Sequence, residues 1–171
     1  MEILGLIALV AFCGITLLAS LEATMLLFPE PVERARQNLE NSLGRSLLLG
    51  LVNFIFIATI FILLAWLGEQ LGKVLGGILT ALALILLVGL ILLALLGLSA
   101  LSRLVGQRMG DAKPPAVAHR WGGLLLILSG LAPYVGWLIF TPLVIWAGLG
   151  AAITALIRRP EKESFAEEAA K

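Results

Sequence analysis

"SGLAPYVGWL", residues 129–138, interrupts a run from Trp121 to Ile157 that contains no charged residue. Gly130, Pro133 and Gly136 fall inside it, and glycine and proline are the residues that most readily end or bend a helix. The run is therefore either one long kinked helix or two helices folded back at Pro133. The choice sets how often the chain crosses a membrane and on which side it ends.

A membrane is required by composition. The chain has 171 residues, 60% of them hydrophobic and 13% charged, with a mean hydropathy of +1.06. Soluble domains carry about 25% charged residues, and the apolar blocks here exceed the roughly 20 residues that cross a bilayer. The first block follows Glu2 rather than a basic segment and runs past the length of a signal-peptide core, so it reads as a retained helix. Cys13 is the single cysteine, which leaves no intrachain disulfide.

The spans fall at about 3–28, 47–67, 74–101, 116–132 and 134–157. Glu22 lies near the far edge of the first, where it reads either as an interfacial carboxylate or as an intramembrane ligand. Pro29 and Pro31 stop that span. Residues 32–43 follow as a short amphipathic helix, with Val32, Ala35, Leu39 and Leu43 on one face and Glu33, Arg36 and Glu40 off it. Such a helix can lie flat in the interface with its apolar stripe in lipid. Asn53, in the second span, is expected to hydrogen-bond to a neighbouring helix. The long polar loop 102–120 holds Arg103, Arg108, Lys113 and Arg120 against Asp111. A short charged tail, 161–171, closes the chain.

Charge then decides the opening question, because cytoplasmic loops carry the excess of Lys and Arg. With one crossing between residues 121 and 157, the better orientation puts seven basic residues inside and five outside. With two, eleven lie inside and only Lys73 outside. A single 37-residue helix would also be about 55 Å long, nearly twice the hydrocarbon core. Five crossings are expected in an all-α polytopic bundle, with a short fourth helix, a turn at Pro133 and Gly136, the N-terminus outside and the C-terminus cytoplasmic. His119 and Arg120 must then reach the interface by snorkelling.

No catalytic constellation is visible. The lone histidine, His119, rules out a His pair for metal, and no phosphate-binding or dinucleotide fingerprint occurs. No enzyme activity, cofactor, metal or nucleic-acid partner is expected. Pro142 after Thr141 is expected to act as a hinge, or to open a backbone carbonyl for a broken-helix ion site. Small residues recur at four-residue spacing as Gly68, Gly72 and Gly76 and as Ala147, Ala151 and Ala155. Rows of this kind let helix backbones approach closely, in the same chain or in another.

Two stretches carry a family likeness: "LFPEPVERARQNLENSLGRSLLLGL" (26–51), and "LLLILSGLAPYVGWL" together with "GLGAAITALIRR". They resemble the multi-helix membrane domain that many bacteria attach to bactofilin-like, polymer-forming β-solenoid domains. The resemblance implies a bacterial cytoplasmic-membrane protein with an anchoring or scaffolding role. The glycine-rich solenoid repeat is missing, so polymer formation does not carry over. The expectation is a non-catalytic structural or accessory subunit that packs through the small-residue helix faces against a larger membrane complex, or against itself, among membrane lipids. One alternative is a small homo-oligomeric channel or transporter using Asn53 and the Thr141–Pro142 break. Another is an anchor that recruits a cytoplasmic partner or anionic lipid through Arg103, Arg108, Lys113 and Arg120.

Overall fold

A computed structural model describes residues 2–109, 115–132 and 134–157. The described residues form helices α1 (Glu2–Leu27), α2 (Pro29–Asn41), α3 (Leu43–Gln70), α4 (Gly72–Arg108), α5 (Pro115–Leu131) and α6 (Thr141–Ile157), with a π-helical turn, Gly136–Phe140, leading into α6. The protein is an all-α helical bundle. Among the described residues, four apolar helical stretches are long enough to cross a membrane, ending at Leu27, Gln70, Arg108 and Ile157, whereas Val117–Leu131 is shorter.

Helix boundaries follow local chemistry. Pro29 and Pro31 occupy the first turn of α2, where a missing N–H costs nothing. Gly72 has φ +77°, a backbone conformation open to glycine, and it turns the chain from α3 into α4. Tyr134, at φ 63°, makes the corresponding reversal after α5. Pro133 itself lies outside the described residues, as do Lys113 and the tail.

Contacts fix the relative direction of the helices. Arg120 pairs with Glu22, Arg103 with Glu33, and Asn38 hydrogen-bonds Thr154. The end of α1, all of α2, the start of α3, the end of α4, the start of α5 and the end of α6 therefore share one end of the bundle. The α3–α4 turn lies towards the other end, where Gly76 meets Gly68. Gly130 lies beside Thr141, and Gly136 against Ser129 and Gly130, so α5 and the start of α6 form a hairpin and not one kinked rod. The hairpin is shallow. Along α4 about 37 Å separates Gly97 from Gly72, while in α6 about 18 Å separates Gly148, which touches Gly97, from Gly136.

Helix α6 is the centre of packing, against α2, α3 and α4. It crosses its neighbours where both sides lack side chains. A methyl group on Gly50 would strike the Trp146 carbonyl, one on Gly150 the Ser46 carbonyl, and one on Gly97 the Gly148 carbonyl. Helices α4 and α5 approach the same way through Gly106 against Ala118 and Gly122 against Ser102.

The amphipathic helix α2 is present, but its stripe does not face lipid. Val32, Ala35 and Leu39 are fully buried in one cluster with Leu96, Ala100, Leu104, Ala147, Ala151 and Ala155. A stripe spaced 3, 4, 4 is equally suited to lipid and to protein; here alanines on α4 and α6 leave room for a third helix. Leu43, expected on the same face, is exposed and opens α3.

Candidate functional site

Polar side chains concentrate where α2 caps the bundle. Arg36 bridges two carboxylates of its own helix, Glu33 at 2.8 Å and Glu40 at 2.6 Å. Glu33 also meets Arg103 of α4 at 2.9 Å. Partial burial by itself raises the Glu33 pKa. The hydrogen bond from Arg36 and the charges of Arg103 and Arg36 outweigh it and hold the carboxyl below its ordinary value. The hydrogen bond to Glu33 in turn raises Arg36, against the opposing effect of burial. The arrangement is a clamp tying α2 to α4. Asn38 adds a tie to α6 by donating to the Thr154 hydroxyl at 3.1 Å.

A second polar group joins α1, α4 and α5. Ser99, fully buried, donates to the Leu21 carbonyl at 3.1 Å. Arg120 Nε donates to Glu22 Oε1 at 3.2 Å. Glu22 is therefore neither a free interfacial carboxylate nor a lone ligand: it is paired across helices. Arg120 does reach outward, with 70% of its side chain exposed. His119 does not snorkel. Its ring is 1% exposed and faces the Leu21 carbonyl, and neither nitrogen meets hydrogen-bond geometry among the described residues. One position separates the two residues on α5, enough to turn one into the bundle and the other to the surface.

The other expected site residues separate into distinct roles. Asn53 donates to the Leu49 carbonyl of its own helix at 2.8 Å instead of to a neighbour. Thr141 donates to the Gly136 carbonyl at 2.7 Å from its hydroxyl, and its backbone N–H reaches the same oxygen. Pro142 has no N–H and its ring crowds the preceding turn, so the helix widens to a π turn just before it. The Gly136 carbonyl therefore accepts two hydrogen bonds from Thr141, and Pro142 follows directly on the widened turn.

Of the small-residue rows, Gly68 and Gly76 face each other, while Gly72 packs on nothing and serves the turn. Ala147, Ala151 and Ala155 are buried inside this chain, so their row is already used. Arg103 is likewise engaged by Glu33, while Arg108 is exposed. Sequence reading missed the tightest approaches, at Gly50, Gly97, Gly106 and Gly122. For three of them a signal was present as small residues four apart: Ser46 with Gly50, Ser102 with Gly106, and Ala118 with Gly122; Gly97, with Leu93 and Leu101 at that spacing, carried none.

Among the described residues, no three His, Cys, Asp or Glu side chains come together. No protein-family model, no curated protein and no solved structure matches the chain, so the likeness to the membrane domain of bactofilin-associated proteins rests on the two stretches that carry it.

Proposed function

We propose that this chain is a non-catalytic structural or accessory subunit of the bacterial cytoplasmic membrane, a scaffold that packs against other transmembrane subunits or copies of itself. The observation that carries the proposal is how apolar surface is distributed. Of the two small-residue rows, Gly68, Gly76, Ala147, Ala151 and Ala155 are used within the chain, yet α1, α3 and the first half of α4 keep broad exposed faces, among them Phe12, Phe56, Ile62, Trp66, Val74, Ile78 and Ile85. In a membrane these faces meet lipid or partner helices. Partner packing would therefore run through large side chains on α3 and α4, not through the glycine and alanine rows. The anchoring role implied by the resemblance belongs to the same proposal.

The orientation proposed has the basic end cytoplasmic, since Arg34, Arg36, Arg45, Arg103, Arg108 and Arg120 all lie towards that end. Purification of tagged protein in mild detergent tests the association: discrete larger particles containing a membrane protein, or copies of this chain, support it. A lone monomer defeats it. A reporter fused after Lys171 should signal from the cytoplasm.

A further inference from the structure

Beside the α1–α5 seam lies an open groove of about 420 Å³ on the outer surface of the bundle. Ile15, Leu18 and Ala19 of α1 and Leu124 of α5 form its apolar walls. Gly123 lets the two helices close behind it, for Leu18 Cδ2 lies only 3.1 Å from where a Cβ would stand. Towards the basic end the walls give way to Trp121, Arg120 and Glu22. An occupant needs an apolar chain at one end and charge at the other, and the surrounding bilayer supplies such molecules in excess.

The polar rim narrows the class further. Arg120 Nε is committed to Glu22, but a guanidinium has five donors, and 70% of this side chain is exposed. Glu22 offers one oxygen to Arg120, and its side chain is 25% exposed. Positive and negative groups thus stand side by side at headgroup depth. A headgroup with phosphate alone would meet Arg120 and be repelled by Glu22. A headgroup with a phosphate and a primary ammonium matches both.

We propose that the α1–α5 groove binds one zwitterionic, amine-bearing phospholipid. Its phosphate lies on Arg120, its ammonium on Glu22 and an acyl chain along Ile15, Leu18, Ala19 and Leu124. The inference rests on the membrane location of the chain and is independent of any protein partner.

Native mass spectrometry of the full chain tests it, with phosphatidylethanolamine, phosphatidylglycerol or diacylglycerol added to the same micelles. One phosphatidylethanolamine should be retained, about tenfold more firmly than phosphatidylglycerol, as expected for one charge-assisted contact, and more firmly still than diacylglycerol, which lacks both charged groups. Inorganic phosphate should not displace it. Glu22→Gln should shift preference towards phosphatidylglycerol, and Arg120→Gln should lower retention of phosphatidylethanolamine about tenfold. Ala19→Trp, at an exposed position, should block the groove and abolish retention while far-ultraviolet circular dichroism stays unchanged. Equal retention of the three lipids, preference for phosphatidylglycerol in the unmodified chain, or undiminished retention in folded Ala19→Trp would each overturn the assignment and indicate ordinary boundary lipid. Should either charge variant unfold, the lipid comparison on the unmodified chain and the Ala19→Trp result still decide.

Discussion

Adding one methyl group at Gly50 should do the opposite of adding one at Gly89. Both glycines are helical, and alanine in a helix interior is favoured over glycine by about 1 kcal/mol. At Gly89 a Cβ meets nothing within 4 Å, so that gain should appear as added stability. At Gly50 the same atom would collide with the Trp146 carbonyl and stand 2.8 Å from Gly150 N. Both obstacles are helix backbone, with no rotamer to yield, so α3 and α6 must separate by about an ångström or more to regain van der Waals distance. Overpacking of this kind costs about 1–3 kcal/mol, and α3–α6 is the most extensive helix pairing in the molecule. The upper half of that range is expected. Because the propensity gain is common to both sites, Gly50→Ala should fall below Gly89→Ala by about 2–3 kcal/mol, or roughly 30- to 150-fold in the unfolding equilibrium. Reversible unfolding in mixed micelles of mild detergent and dodecyl sulfate, followed by circular dichroism, measures the difference. Equal stability of the two variants would refute the claim that α3 and α6 meet backbone to backbone at this point.

Three further substitutions probe the polar ties. Glu33 titrates below its ordinary value of 4.5. Its contribution is thus complete above that pH and is lost as pH falls through the lower folded-state value. Glu33→Gln should flatten this acid limb of the stability profile, and an unchanged limb would remove Glu33 from the account. Ser99→Ala deletes the buried tie to the Leu21 carbonyl and should cost about 1 kcal/mol, with faster hydrogen exchange at the end of α1; unchanged exchange there would speak against the tie. His119→Leu removes a buried ring without geometrically sound partners and should raise stability by about 1 kcal/mol. A clear loss instead would mean that the ring holds a polar contact.

How far the sequence reveals this molecule depends on the kind of information needed. Apolar length and the placement of lysines and arginines led to five helical spans and a fold-back at Pro133, and the hairpin between α5 and the start of α6 is present. The stripe of Val32, Ala35 and Leu39 marked a helix and its buried face. It could not name what buries that face, since lipid and a wall of alanines satisfy the same pattern. The same gap explains Gly72: spacing alone placed it in a packing row, whereas its positive φ belongs to a turn. Glu22 and Arg120 are 98 positions apart, and nothing local in either stretch announces their pairing. His119 and Arg120 differ by about 100° of helix rotation, and only the positions of the neighbouring helices tell which of them is inside.

The unequal helix lengths described above also bear on the membrane around the protein. Helix α5 has 17 residues, and the apolar part of α4 runs over residues 74–101, about 26 and 42 Å along their axes. A planar bilayer of one thickness cannot match both flanks. Lipid beside the α5 side must thin, or the α3–α4 hairpin must tilt, and either response stores elastic energy in the adjoining leaflet. The chain therefore carries a thickness gradient across its own width, and its elastic cost is lowest where the surrounding bilayer already changes depth.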